Sequence, residues 1–446
     1  MTHRFWTAML LALALAAPPA AEAARARDGI REQKLPNGLT LILAPDPRAG
    51  GVDVTVWYRT GTRWETAGRT GVTHLVEQLM FRGVSAEGDD HVTRIRRLGG
   101  TVGAESTPDY SSFFQTVPPQ ALEPVFAMEA GRMAALDVTP ADFAEVVRLV
   151  RQNHARVANT PVARGMQQLN ALAFEGHPYA WSAIGREADL DGVTLEDCLD
   201  WHRDRYGPGN AVVTVVGRFQ TSEALAAAKR TLGRVPRRTT PKGGDALPLE
   251  ENGSIRRTVG TYAFGGPSVL LGWRVPGAAS DATPALELLV RCLTGDASAP
   301  LQRALTGQDR PTAFVQCGLQ ARRDAGLFFA VAALQPGADS AAVAVVERTI
   351  LDEVAKIAAE GPEEERLERA RKSLQVERLF SLERPRDRAE ALGHGALVSN
   401  RGADALAAGA AGPAAAAVRD AAARLLAGRT PVTVWMMPAG RAEEGR

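Results

Sequence analysis

Residues 71–84 read GVTHLVEQLMFRGV, and this stretch carries the most informative pattern in the chain. Its apolar residues recur at helical spacing, which predicts a helix over 71–81. His74 and Glu77 are three residues apart, and position 78 follows His74 by four. Residues three and four apart lie on one helical face, so His74, Glu77 and Gln78 are predicted to project together.

Strands and helices alternate on both sides of this stretch. Residues 35–46 contain an Asn-Gly turn that leads into a β run, and 52–61 alternate apolar and polar residues as a half-buried strand does. The further predicted elements of this half are a helix at 91–100, a strand pair at 101–119, helices at 121–134 and 141–158, and a strand at 211–219. We predict an α+β fold of mostly antiparallel strands backed by helices.

The order of elements starts again after 233–254, a segment rich in Pro, Gly and charge. The later predicted elements are a strand at 268–277, a helix at 282–295, strands near 312–335, helices at 340–359, 363–383 and 403–424, and a strand at 431–439. We therefore predict two duplicated domains, 30–232 and 255–440, joined by a linker at 233–254.

The composition excludes several classes of protein. With 446 residues and 45% hydrophobic content, the chain can form two to four packed domains. The 52 Lys and Arg residues against 51 Asp and Glu residues give a net charge of +1, which disfavours a nucleic-acid partner. Three cysteines, none in a CxxC pair, are too few for a disulfide scaffold.

The N-terminus has the pattern of a secretory signal peptide (1–23). A basic start is followed by the apolar run 8–17 and by Ala21-Glu22-Ala23, so we expect cleavage near Ala23 and export, with the periplasm as the expected location. No later stretch reaches about 18 uncharged apolar residues, so no membrane span is predicted. An oxidising compartment would permit a Cys292–Cys317 disulfide, with buried free thiols as the alternative.

The 71–84 stretch is similar to the inverzincin motif H-x-x-E-H, in which two histidines hold zinc and the glutamate is the general base. Other informative strings follow in order: LPNGL (35–39), VWYRTGTRWE (56–65), LGGTVGAEST (98–107), MEAGRM (128–133), HPYAWSAIG (177–185), YGPGNAVVTVVG (206–217) and PEEERLERARKSL (362–374). Together they resemble the pitrilysin/insulinase family of zinc peptidases, which includes the mitochondrial processing peptidase and its noncatalytic partner subunits. The resemblance runs from about Leu35 to Pro438 and implies that the two domains form half of a clam-shaped chamber.

The resemblance also implies a degenerate metal site. The family holds zinc with both motif histidines and a downstream glutamate, which a second glutamate precedes by two helical turns. Here the matching positions are Glu145 for the earlier acid and Gln152 for the ligand. His74 is the one ligand kept, Glu77 is a vestigial general base and Glu145 a vestigial second acid, while Gln78 and Gln152 replace the other ligands.

Two amides are poor replacements for an imidazole and a carboxylate. Catalytic zinc sites use three protein ligands and a water, so the changes leave a poor match for a dication. Without zinc, Glu77 has no activated water to deprotonate. We predict no metal cofactor, and zinc if the site still functions. His154 is disfavoured as a substitute ligand because residues 152 and 154 face different ways on a helix.

The family binds an extended peptide as an added strand along a free sheet edge, at the segment that matches 101–107 here. This implies that Gly103, Ala104 and Glu105 bind substrate. Gly103 stands where the family often has Asn. Pro300 and Phe314 stand where active members supply an Arg and a Tyr to the substrate, so Phe314 is a further predicted contact.

Three functions fit these residues. The first is a noncatalytic subunit that binds extended peptides and pairs with a homologous subunit carrying an intact H-x-x-E-H motif. The second is an active metallopeptidase with an unusual ligand set. The third is a stand-alone peptide-binding or assembly module. Co-purification with an intact homologue, chelator-sensitive hydrolysis or a stable inactive monomer would separate them.

Overall fold

The structure is a computed structural model that describes residues 29–83, 89–158, 160–238, 257–262, 265–308, 310–399, 401, 406 and 412–439. The predicted signal peptide and residues 239–254 of the predicted linker lie outside these ranges. Within them, no helix is both long and apolar enough to cross a membrane.

Six strands of the first half form one sheet in the order β1-β2-β6-β3-β5-β4. They are β1 (Arg31–Lys34), β2 (Thr40–Pro45), β3 (Val52–Tyr58), β4 (Thr101–Ser106), β5 (Ser111–Val117) and β6 (Ala211–Gly217). Only β2 and β6 run parallel among these neighbours. Because β4 is the last strand of the order, one of its sides is not paired within the sheet.

Seven α-helices lie within the described residues of the first half. They are α1 (Val72–Leu79), α2 (His91–Arg97), α3 (Leu122–Ala134), α4 (Pro140–Ala158), α5 (Pro161–Ala173), α6 (Leu195–Arg205) and α7 (Thr221–Arg230). All except α5 contribute buried apolar side chains to one core, which lies between these helices and the first sheet. Burial of this apolar surface is what holds α1, the helix of the sequence motif, against the sheet.

The second half has a sheet of five strands in the order β7-β11-β8-β10-β9, in which only β7 and β11 are parallel. Its strands are β7 (Arg257–Tyr262), β8 (Ser268–Pro276), β9 (Thr312–Gln320), β10 (Ala325–Leu334) and β11 (Val432–Pro438). Its helices are α8 (Thr283–Thr294), α9 (Pro300–Leu305), α10 (Ser340–Glu360), α11 (Glu364–Glu383), α12 (Pro385–Leu397) and α13 (Ala415–Ala422), which continues into a π-helical turn (Ala423–Ala427). The predicted α+β fold with two mostly antiparallel sheets backed by helices is confirmed.

Each half lends one helix to the sheet of the other half. Helix α5 begins at Pro161 just after α4 and packs on β8 and β11, whereas α12 begins at Pro385 just after α11 and packs on β3 and β6. A proline in the first turn starts a new helix and disfavours helical backbone in the residue before it. At Gly393 of α12 a Cβ would lie 2.0 Å from Cε2 of Trp57, so only glycine permits this approach. The sequence analysis did not predict these two exchanged helices.

A second repeated feature lies at the two sheet edges. Gly103 of edge strand β4 pairs with Phe114 of β5, and Gly318 of edge strand β9 pairs with Phe329 of β10. In each pair the ring covers the glycine, because a Cβ on the glycine would lie 2.5 Å or 2.3 Å from the ring's Cζ. An aromatic side chain across from an edge glycine compensates for the missing side chain. The same pairing in both halves agrees with the predicted duplication.

Buried polar contacts also join the halves. Arg63 forms a two-point ion pair with Asp324, with distances of 2.6 Å from Nε to Oδ2 and 3.1 Å from Nη2 to Oδ1. Both side chains are almost fully buried. The Tyr179 hydroxyl donates to Asp109 Oδ1 at 2.5 Å, and Asp109 Oδ2 accepts from the backbone N–H of Arg323 at 2.9 Å. Since an unpaired buried charge is costly, these pairs hold the halves in one arrangement.

For the cysteines, the sequence allows either a Cys292–Cys317 disulfide or buried free thiols, and the structure has free thiols. Cys198, Cys292 and Cys317 are all buried free thiols. Burial raises the pKa of the Cys317 thiol to about 12 and that of Cys292 to about 11. Such thiols are poor nucleophiles and act here as apolar core residues.

Candidate functional site

Helix α1 starts at a glycine and is capped by a distant carboxylate. Gly71 has a φ of 93°, in the left-handed region that favours glycine. Glu65 Oε2 accepts from the Gly71 backbone N–H at 2.8 Å, and Oε1 accepts from that of Thr73 at 2.9 Å. Burial raises the pKa of Glu65 and the two backbone hydrogen bonds oppose that rise. Sequence analysis missed this role of Glu65, because the residue lies six positions before Gly71, outside the positions at which a capping signal is read.

Glu77 contacts both of the other motif side chains on α1. His74 Nδ1 lies 3.5 Å from Glu77 Oε2, and Gln78 Nε2 donates to Glu77 Oε1 at 3.0 Å. The side chains of His74 and Glu77 are 14% and 7% exposed, so the carboxylate lies in a largely enclosed place. An amide nitrogen is a donor with no lone pair for a metal, so Gln78 binds the carboxylate where a histidine would bind zinc.

Glu145 and Gln152, the two predicted positions downstream of the motif, lie on the solvent-facing side of α4. Val150 and His154, one turn apart, are buried, whereas Gln152 is exposed and Glu145 is partly exposed. Glu145 accepts from Arg148 twice, at 2.8 Å from Nε and 2.7 Å from Nη2, and this pairing lowers the pKa of Glu145. The structure therefore does not bring Glu145 and Gln152 to the motif on α1, and their family roles stay predictions.

His154, which the sequence analysis disfavours as a substitute metal ligand, lies on the buried face of α4. It is 8% exposed, and its Nε2 lies 3.1 Å from the Ile184 carbonyl oxygen, to which it donates. Burial lowers the pKa of His154, and His74 is close enough to add to that lowering. With Nε2 protonated, the lone pair is on Nδ1. A histidine that donates one N–H to a backbone carbonyl is oriented as metal-ligating histidines are.

The donor set does not fit a catalytic zinc site. Over the residues that the structure describes, no group of three or more His, Cys, Asp or Glu side chains is placed to hold a metal ion. Two imidazoles, those of His74 and His154, are close enough for His74 to lower the pKa of His154, and Glu77 accepts from an amide. Catalytic zinc needs three protein ligands and an open position for water, so the residues present fall one donor short.

The predicted peptide-binding residues lie on β4, the free edge strand. Ala104 packs toward the core, and Gly103 and Glu105 lie on the opposite face of the pleat. The ring of Phe114 fills the space where an Asn side chain would stand at position 103. Tyr110 donates to Glu105 Oε2 at 3.4 Å, and burial raises the pKa of Glu105. The main-chain edge of β4 is thus available, without a side-chain clamp at 103.

The predicted contact in the second half lies on the corresponding edge. Phe314 is on β9, the edge strand of the second sheet, and is 39% exposed. Pro300 is the first residue of α9. Both edge strands therefore keep the geometry that adding a peptide strand requires.

Two family models match consecutive parts of the chain. The model described as "Insulinase (Peptidase family M16)" matches residues 40–186. The model described as "Peptidase M16 inactive domain" matches residues 192–374. Together they cover well over half of the chain.

Individual proteins show the same similarity. "Zinc protease PqqE" of Helicobacter pylori is 27% identical over 282 residues, which are 62% of this chain and 63% of that protein, so the match spans less than two thirds of this relative. "Probable mitochondrial-processing peptidase subunit beta" of Schizosaccharomyces pombe is 23% identical over 206 residues, 45% of this chain and 44% of that protein. A solved protease from Helicobacter pylori has a TM-score of 0.82 at 21% identity, covering 92% of this chain and 99% of that one, which shows a shared fold. By its motif strings, its fold and both family models, this chain belongs to the insulinase (M16) peptidase family.

Proposed function

We propose that this chain is an exported, noncatalytic subunit that binds extended peptides and pairs with a homologous subunit carrying an intact H-x-x-E-H motif. One observation carries the proposal: Gln78 stands in place of the second histidine and donates to the carboxylate of Glu77. A general base must be free to accept a proton from water, and a metal must lower the pKa of that water. In this pair, the Gln78 amide occupies one oxygen of Glu77 and supplies no imidazole to a metal.

The peptide-binding half of the proposal depends on different residues. Strands β4 and β9 are edge strands, and neither needs the metal site to pair with a peptide. The relative from Schizosaccharomyces pombe is named as a subunit, and the family model over residues 192–374 is described as an inactive domain. Both descriptions support a partner role for this chain.

His154 favours a second function, that of a metallopeptidase with an unusual ligand set. It lies near His74 and its orientation leaves one ring nitrogen available. Such a protein would use two imidazoles and a third ligand that is not a His, Cys, Asp or Glu of the described residues. This function needs metal bound to the isolated chain, whereas the noncatalytic function does not.

The test is to purify the chain alone and together with an intact-motif homologue. Zinc per chain is measured by elemental analysis, and hydrolysis of unstructured peptides is measured with and without a chelator. We expect no stoichiometric zinc and no hydrolysis for the chain alone, and chelator-sensitive hydrolysis for the pair. Stoichiometric zinc that is lost in His74→Ala, with hydrolysis by the single chain, would establish the second function instead. N-terminal sequencing of the protein from the periplasm tests export, with Ala24 as the expected first residue.

A further inference from the structure

A pocket opens beside the free edge of β4, on the face of the first sheet against which α1 and α2 pack. It has a volume of about 450 Å³ and is lined by Phe81, by Val92 and Arg96 of α2, and by residues 100–103. We call it the β4 pocket. Because β4 has no further strand beside it in the sheet, the pocket adjoins main-chain groups that an added strand can use.

The β4 pocket combines apolar walls with one available cation. Phe81 and Val92 are half-buried, whereas Arg96 is exposed and forms no ion pair with any carboxylate of the described ranges. Arg96 is the arginine that lines the pocket, whereas two nearby arginines are engaged elsewhere: Arg97 pairs with Asp89, and Arg132, which lies against the Phe81 ring, pairs with Glu129. Arg96 is therefore the guanidinium available to a side chain that enters the pocket.

We propose that the β4 pocket selects extended peptides with a carboxylate side chain, glutamate above all, and that Arg96 is the residue that determines this preference. The inference rests on the proposed function, because the peptide must pair with β4. Side chains of an added strand alternate between the two faces of the sheet, so every second one points toward the helices. The side chain beside residues 101–103 then enters the β4 pocket.

Glutamate fits both parts of the pocket. Its two methylene groups can pack on Phe81 and Val92, and its carboxylate can accept two parallel hydrogen bonds from the planar guanidinium of Arg96. A lysine at the same position would meet like charge. Since Arg96 is exposed, we expect a preference of about two- to fivefold in Kd for Glu over Gln, which should shrink as salt screens the pair.

The experiment measures binding of labelled peptides by fluorescence anisotropy. One peptide sequence carries Glu, Gln or Lys at each position in turn, and the proteins are the wild type, Arg96→Gln and Arg97→Gln. Arg97→Gln is the matched control, because Arg97 is the next residue of α2 but does not line the pocket. We expect one position to show the Glu preference in the wild type and in Arg97→Gln, and no preference in Arg96→Gln.

The outcomes separate this inference from the function on which it rests. Binding without a charge preference in the wild type, or a preference that persists in Arg96→Gln, would overturn the inference and leave peptide binding intact. Absence of binding by every peptide, with the chain alone and with its intact-motif partner, would overturn both. A Glu preference that falls with rising salt and disappears only in Arg96→Gln supports both.

Discussion

Replacing Asp53 by Asn should change how the stability of the protein depends on pH. Asp53 lies on β3 with no exposed surface. The hydroxyl of Thr55 donates to its Oδ1 at 2.6 Å and that of Thr116 to its Oδ2 at 3.1 Å. Burial raises the pKa of Asp53 from 3.8 to about 6, against the opposing hydrogen bond from Thr55 and the charge of Arg386 on α12.

The size and sign of the effect follow from this pKa. The rise of about two pKa units corresponds to about 3 kcal/mol, at 1.36 kcal/mol per unit. Because the folded pKa lies above the unfolded one, the contribution of Asp53 to stability is complete below pH 3.8 and is lost as the pH rises through 6. Asn does not ionise. As the pH rises from about 4 to 7, the unfolding free energy of Asp53→Asn should therefore increase by about 3 kcal/mol relative to that of the wild type.

The assay is thermal and denaturant unfolding of both proteins from pH 4 to pH 8, compared as a difference at each pH. A gain of this size is about 6–12 °C in Tm for a half of roughly 200 residues. Asp46→Asn is the control of opposite sign, because a backbone hydrogen bond at Arg48 lowers the pKa of Asp46. Its difference from the wild type should stay nearly constant across the range in which Asp53 titrates and should change only below about pH 4, where protonation of Asp46 removes its contribution to the wild type. A constant difference between Asp53→Asn and the wild type at every pH would refute the reasoning.

Two further substitutions test the site itself. Gln78→His should bind about one zinc per chain by elemental analysis, because it adds a third donor to His74 and His154, while Gln78→His with His154→Gln and Gln152→Glu should not, because position 152 lies on the exposed face of α4; zinc in the second variant alone would contradict the geometry. Gly103→Asn should lower the unfolding free energy by about 1–3 kcal/mol, since its Cβ would lie 2.5 Å from the Phe114 ring. Adding Phe114→Ala should recover most of the loss in thermal unfolding, and an unaffected single variant would show that the ring does not fill this space.

The elements around 71–84 could be predicted because their signals are local. Helix α1 covers Val72–Leu79 where 71–81 was predicted, and α4 covers Pro140–Ala158 where 141–158 was predicted. Periods of two and 3.6 residues depend only on neighbours along the chain. The same holds for the two sheets, whose strands carry their own alternating patterns.

The exchanged helices could not be placed from such signals. Helix α12 has a proline at its start and apolar residues facing the first sheet, which allows a helix but does not say which sheet it covers. That choice depends on the fit of Gly393 against Trp57, two residues that lie far apart in the chain. Tertiary packing of this kind has no local signature.

The bounds of a helix do not fix which of its faces is buried. The apolar periodicity predicts the bounds of α4, whereas the placement of the ligand position at 152 rests on a match of short strings. A shift of two residues turns a helix by about 200°, which exchanges its buried face for its exposed one. Gln152 and His154 differ by such a shift, and burial together with the hydrogen bond to the Ile184 carbonyl places His154 inside.

Gln78 and Gln152 show how this chain can keep the family fold without keeping the family's metal ligands. Helix α1 is positioned by the carboxylate cap from Glu65 and by the apolar core beneath the helix. Neither of these interactions involves a metal-ligand position. Replacing a histidine by Gln78 leaves that packing intact and adds a hydrogen bond to Glu77. The free edge of β4 and the pocket beside it depend on sheet order and on α2, not on zinc. Function must therefore be argued from each site separately, and here the free edge of β4 is the part whose geometry is complete.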